Sequence, residues 1–379
     1  MDLREYRTVF LAAILAAVVM AAGQLGLLTP EGRIAFQANA ALWWQEYHQE
    51  FWMGVVALAL FLLALFVPRM LRRRREQRDC LERVAQGPTL YLLPRSDWRP
   101  IQPGNVQVWT RMADALPHDE HLSFEVCGNE DGLFFALHAS PDGLRAAMTQ
   151  FKSEWPGLHS RVADQDPALL PEGWHAWWVE LLPANADLAI AAMSDDPLRA
   201  ALIEINAVLG QGRGLMQMIA RRNYGMKKSL GQKAFAARDE ETKSKGVRAI
   251  RQQEARQYEE RAAQSYLDVT LRTVGLADTE ERAQGIARGL ARSISASFSG
   301  NNPVQPIRQG RAVDIVLKRL PGRQAPWAAS ELAYLAHLAG SDLIQLAPRL
   351  NTAPARYLPA DPEMRLVLEK HRTAFMEVK

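Results

Sequence analysis

The chain has 379 residues, 48% of them apolar and with ten Trp and twelve Phe, which excludes a disordered polymer and allows one or two packed units. Its net charge of +3 resides in the first 78 residues, which hold nine arginines and six carboxylates; the remainder is balanced and lacks the basic excess of a dedicated nucleic-acid-binding domain. Cys80 and Cys127 are far apart, which excludes a disulfide framework or a cysteine-based zinc site.

Two apolar runs open the chain. Thr8–Leu28 contains one strongly polar residue, Gln24, and has the length of about 20 residues that a helix needs to cross hydrocarbon. Phe51–Val67 is slightly shorter, and snorkelling flanks would compensate. Trp43, Trp44, Tyr47 and Trp52 between or at these runs suit a membrane interface. Arg4 and Arg7 precede the first run; Arg69, Arg72, Arg73, Arg74, Arg75 and Arg78 follow the second, and only Arg33 lies between. The positive-inside rule then predicts a helical hairpin in a bacterial inner (cytoplasmic) membrane, multi-pass, with N and C termini cytoplasmic. Arg69, Arg72, Arg73, Arg74 and Arg75 would set that topology, and the same cluster could bind anionic lipid. The rival is a signal peptide cleaved near Ala21-Ala22-Gly23, disfavoured because the apolar run continues past it.

After Pro88 the pattern shortens. Val106–Leu116 reads as a helix ended by Pro117. His121–Cys127 and Leu133–Ala139 alternate around a Gly/Asn/Asp turn and predict a hairpin. Ser140-Pro141-Asp142 starts a helix carrying Leu144, Met148, Phe151 and Trp155 on one face, stopped at Pro156. A strand is expected at Gly173–Leu182. Asp195-Asp196-Pro197 starts another helix, Leu198–Leu209, followed by the turn Gly210–Gly214 and a strand at Leu215–Ala220. Beyond a charged stretch come a strand, Tyr266–Val274, a long helix, Asp278–Ser297, and an amphipathic helix after Ala325-Pro326 with Leu332, Leu335, Ala336 and Leu338 inward.

The expected fold class is therefore α+β: an N-terminal transmembrane helical hairpin, then tandem ferredoxin-like modules with a charged helical insertion. The expected divisions are an anchor at 1–78, modules at 79–194 and 195–325 with the insertion at 225–264, and a C-terminal helix and Pro-rich tail at 326–379.

Catalytic signatures are missing. No G-x-x-x-x-G-K-[ST] phosphate loop is present. The GQGRG turn at 210–214 follows a helix and precedes a strand, the reverse of the order a phosphate cradle requires. HExxH and GxSxG are absent, the eight His are scattered, and Glu331 and His337 are six apart and do not form a metal pair. His337 reads as a packed or capping residue. The sequence therefore predicts no catalytic residue, cofactor or metal. Arg221–Arg261 holds twelve basic and six acidic residues. Its cations could meet a phosphate backbone or an acidic partner; the plainer reading is a solvated helical excursion, since acids are interspersed and stacking aromatics are nearly absent.

The order of segments resembles a known family. After the apolar pair come MADALPHDEHLSFEVCGNEDGLFFALHAS, FKSEWPG, DPLRAALIEINAVLGQGRGLMQMIARR, YLDVTLRTVG and WAASELAYLAHLAGSDLIQLAPRL. Together they resemble the N-terminal, pre-ATPase region of membrane-anchored VirD4/HerA-like ATPases of conjugative and type IV secretion systems. The motor domain that follows in that family has no counterpart here. The resemblance implies a membrane-anchored, non-enzymatic subunit of a conjugative DNA-transfer or type IV secretion-like system, tethering or regulating a separate P-loop ATPase. Arg221, Arg222, Lys227 and Lys228 are its candidate contacts for that partner or for a DNA backbone. A second copy of the chain is a further candidate partner. Alternatives are a DNA-binding membrane tether without a motor, a truncated relative of a coupling ATPase, or a hydrolase with an unrecognised site.

Overall fold

The computed structural model describes residues 66–353, apart from 73, 97–101, 118, 156, 191–195 and 240–244. The chain forms two compact units, Met1–Glu76 and Gln77–Lys379.

In the second unit, helical residues 77–85 lead into β1 (Thr89–Leu93), α1 (Gln102–Ala115), β2 (His121–Asn129), β3 (Gly132–His138), α2 (Pro141–Glu154) and β4 (His159–Val162). Then follow β5 (His175–Pro183), α3 (Pro197–Ala207), β6 (Arg213–Arg222), α4 (Met226–Asp239), α5 (Lys245–Ala262), β7 (Tyr266–Ala277), α6 (Glu280–Ser297) and β8 (Val304–Gly310). The chain closes with α7 (Val313–Leu317), β9 (Ala325–Ala328), α8 (Ala329–Leu332) and α9 (Ser341–Leu346).

All nine strands join one sheet in the order β4-β1-β3-β2-β6-β7-β5-β8, with β9 beside β7. Every pairing between these strands is antiparallel. The order is that of two like halves. In each half the chain runs strand, helix, strand, strand, helix, strand, and the fourth strand lies outside the first, then the third, then the second. The halves meet where their second strands pair, with Phe124 opposite Met218. They differ at one connection. In the first half Glu130 and Asp131 turn β2 into β3, whereas in the second the helical pair α4–α5 stands between β6 and β7.

This corrects the expected fold class. One continuous nine-stranded sheet, its two like halves sharing a core, takes the place of separate modules in tandem. Among the described residues no helix is long and apolar enough to cross a membrane. The reading as a multi-pass inner-membrane protein with cytoplasmic termini is accordingly withdrawn, and the topology role given to Arg69, Arg72, Arg73, Arg74 and Arg75 goes with it. The apolar runs behind that reading lie outside the described residues, save Phe66 and Val67.

Period-two alternation decides the faces of the sheet. Leu122, Phe124 and Val126 of β2, Met216 and Met218 of β6, and Val269 and Leu271 of β7 enter the large core under the helices. α1, α2, α3 and α6 cover that face with Trp109, Phe151, Leu202 and Leu290. Ser140 caps α2, its Oγ accepting from the Gly143 amide at 3.0 Å, with Pro141 at the first helical position. Asp196 caps α3 in the same way, accepting from Leu198 at 2.9 Å. α6 rests directly on β7 because Gly275 has no Cβ; one built there would stand 2.1 Å from the Ala283 carbonyl oxygen.

The expected helix after Ala325-Pro326 is mostly absent. Ala325–Ala328 instead adds a strand beside Tyr266–Val269, and regular helix survives only at Ala329–Leu332. Tertiary contact overrides the periodicity here. Leu332, Leu335, Ala336, Leu338 and Ala339 are all buried, and the Ala336 carbonyl accepts from Trp109 Nε1 at 2.6 Å.

Candidate functional site

The opposite face of the sheet carries charge where a core would be expected. Glu125 on β2, Gln217 on β6, Arg272 on β7 and Glu180 on β5 stand directly opposite one another across four adjacent strands. All four are buried. Arg272 Nη2 donates to Glu180 Oε1 at 2.8 Å and to the Leu320 carbonyl at 3.0 Å, and Nη1 donates to the Ile315 carbonyl at 3.1 Å. Gln217 Nε2 donates to Glu125 Oε1 and to the Val316 carbonyl, both at 3.1 Å. A strap made of α7 and the residues after it thus lies over the row, held by backbone carbonyls.

Arg319 completes the cluster from the strap. Its Nε and Nη2 donate to the two oxygens of Glu125 at 2.9 and 3.1 Å, and Nη2 also reaches Asp166 Oδ1 at 2.7 Å. Burial alone would lower its guanidinium pKa, but Glu125 and Asp166 outweigh that and raise it. Burial likewise opposes ionisation of Asp166, and the Arg319 fork overrides it, holding the carboxyl below its usual range. Burial, then Glu125, push the Cys127 thiol well up. Buried charges of this kind must be paired, and these are. Chemically the cluster is a lock between two halves of a sheet and a strap, reaching solvent at Asp166. Among the described residues there is also no group of three or more His, Cys, Asp or Glu placed to hold a metal.

The four residues singled out from the sequence do come together. Arg221 and Arg222 end β6, and Lys227 and Lys228 lie in the first turn of α4. Asn223 makes the corner, its Oδ1 accepting from Gly225 at 3.1 Å and Met226 at 2.7 Å. The arginines are already engaged. Arg221 Nε lies 3.5 Å from Asp268, while Arg222 donates to the Asp114 carbonyl at 3.1 Å and stacks over Tyr224 at 5.0 Å. Lys227 and Lys228 are exposed. Beyond them the α4–α5 arm presents Phe235 and Ile250 to solvent, 70% and 60% exposed, and Tyr224, before α4, is 56% exposed. Arg69, Arg72, Arg74 and Arg75 are exposed on helical residues of the first unit, and Arg73 lies outside the described residues. His337 is buried, with Nε2 3.2 Å from the α3 cap Asp196.

Two hollows escaped the sequence reading. One, of about 470 Å3, sits at the GQGRG turn, and its charges pair off as Arg213 with Glu130 and Arg282 with Asp278. The other, of about 420 Å3, lies between α6 and the edge strand β8. Val179, Ala291, Pro306 and Ile307 line it, with Arg288 and Arg292 on the helix side. Arg288 is fixed by Gln309 Oε1, at 3.1 Å from Nε and 3.0 Å from Nη2, and lies over Trp177 at 5.9 Å. Among the described residues Arg292 has no carboxylate partner. The only sequence signal was two arginines one turn apart, which an amphipathic helix places in solvent by default.

No family model matches the chain, and neither does any curated protein. A solved structure titled "Crystal structure study of anthrone oxidase-like protein" aligns at 11% identity over 60% of this chain and 95% of that one, with a TM-score of 0.16, too low to carry an argument about either fold or chemistry. None of these comparisons speaks to VirD4/HerA-like regions, and none supports secretion vocabulary for this chain.

Proposed function

We propose that this chain is a non-enzymatic docking subunit that holds or regulates a separate P-loop ATPase of a DNA-transfer machine. The resemblance in segment order suggests the partner's class, and the α4–α5 arm is the observation that carries the docking role. The first half of the sheet needs only a two-residue turn at the corresponding connection. The arm is an addition peculiar to the second half; it packs on the sheet through Leu230 and Arg261 and turns Phe235 and Ile250 to solvent. Exposed apolar groups rimmed by charge are how docking surfaces read. The non-enzymatic part is supported by four carboxylates, three of them buried. Glu125, Asp166, Glu180 and Glu331 are each committed to an arginine, which leaves none of them poised for proton transfer to a ligand. Contact with a DNA backbone would fall to the cations of the same corner, Arg221, Arg222, Lys227 and Lys228, of which Arg221 and Arg222 also meet Asp268 and Asp114.

Affinity purification of the tagged full-length protein from its native cells, followed by mass spectrometry, tests this reading. A stoichiometric P-loop ATPase in the eluate supports it. If none appears, even after gentle crosslinking, the docking role toward an ATPase is lost.

A further inference from the structure

We propose that the hollow between α6 and β8 is a binding site for a phosphate ester, with Arg288 and Arg292 gripping the phosphate and Pro306 and Ile307 supporting its organic part. The site is independent of the ATPase reading and lies on a different element from the α4–α5 arm.

Three observations converge. The first is charge: Arg288 and Arg292 stand one helical turn apart, where like charges repel unless an anion sits between them. Arg292 has no carboxylate partner among the described residues, and the partner of Arg288 is the neutral amide of Gln309. The second is preorganisation. Gln309 and the Trp177 ring hold the Arg288 guanidinium in place before any ligand arrives. A planar guanidinium fork matches phosphate oxygens two at a time, and two forks one turn apart can close on the same group.

The third is the repeated architecture itself. α2 and α6 occupy the same place in the two halves, and each begins at a hydroxyl cap, Ser140 and Thr279. Counted from those caps, Arg288 and Arg292 fall where α2 carries Thr149 and Ser153. The fold thus places no demand for arginine at these positions.

The form of the hollow narrows the ligand. At about 420 Å3 it is within the range of about 300–1,000 Å3 usual for small-ligand sites. An added peptide strand is disfavoured. β8 is an edge strand blunted by Pro306, by the exposed Arg308 and by an irregular register between Glu180 and Leu181 of its neighbour. The apolar floor of Val179, Ala291, Pro306 and Ile307 suits a base or similar flat group attached to the phosphate.

Binding to the full-length protein would be measured by calorimetry with 5′-AMP, and by fluorescence anisotropy with a labelled single-stranded oligothymidylate. The variants are R292E and R288Q/R292Q, with K152E, an exposed cation on α2, as a control; circular dichroism confirms that each is folded. The expected result is binding of at least one probe that weakens about tenfold or more in both arginine variants and is unchanged in the control. For the oligonucleotide, the slope of log affinity against log salt should fall by about 1.4 in R288Q/R292Q, the value for two lost phosphate contacts. Binding of AMP alone identifies a free nucleotide as the source, and binding of the oligonucleotide alone a strand. The proposal is overturned if neither probe binds, if R292E binds as the wild type does, or if the control loses binding equally.

Discussion

Arg319 and Glu125 lie 194 residues apart in the chain and meet in two hydrogen bonds, Nε to Oε1 at 2.9 Å and Nη2 to Oε2 at 3.1 Å, with neither side chain exposed. The backbone of Arg319 is left-handed there, φ 47°, a conformation uncommon outside glycine. Its cost is borne because the pair ties the strap to the strand at which the two halves of the sheet join.

Removing one member of this pair should be expensive. R319M leaves Glu125 and Asp166 buried without their counter-ion, and a loss of about 3–5 kcal/mol is expected by urea denaturation. The double variant E125L/R319M should lose less than the two single variants added together. Simple additivity would mean that the pair is not coupled.

Stability should fall as the solution is acidified below neutrality. Burial pushes the His121 pKa down to about 4, with repulsion from His138 and Arg221 adding to it, against an ordinary value of 6.5. The folded chain therefore keeps His121 neutral while the unfolded chain takes up a proton. Between those two values the unfolded state binds more protons, so stability rises with pH and is lost as pH drops through the window. The full effect is on the order of 3 kcal/mol. Urea midpoints at pH 7 and pH 5 should differ less in H121Q than in the wild type, and an equal pH dependence in both would rule out His121 as its source.

Gly275 is a packing requirement. A Cβ there would also stand 2.9 Å from the Ala287 amide nitrogen, so G275A must push α6 off the sheet. About 1–3 kcal/mol of destabilisation is expected, seen as a lowered melting temperature. Gly231, in the middle of α4 with nothing within 4 Å of a built Cβ, provides the contrast. G231A should be neutral or stabilising by up to about 1 kcal/mol.

The exposed side chains of the arm should be separable from the fold. Phe235 and Ile250 bury little, so F235D/I250D should change stability by no more than about 0.5 kcal/mol. The same variant should lose the co-purifying partner. Retention of the partner at wild-type stoichiometry would move the docking surface elsewhere.

What the sequence determined by itself was local. The caps at Ser140 and Asp196, the β2–β3 hairpin, the long helix α6 and the charged stretch between β6 and β7 were all legible, because caps, turns and apolar periods act over a few residues. The four cations Arg221, Arg222, Lys227 and Lys228 were also legible as a group, being neighbours in the chain. Only the tertiary structure decided the rest. β8 reads as a polar loop because an edge strand exposes its side chains, and Pro306 interrupts its pattern. The segment after Pro326 shows a helical period yet is spent on a strand and a buried turn, since burial on all sides removes the reason for an amphipathic helix. The pairing of Glu125 with Arg319, and of Arg288 with the floor of β8, joins residues that no periodicity relates. Such pairings exist because two half-sheets close edge to edge, and that closure is a property of long-range packing free energy rather than of any one stretch of chain.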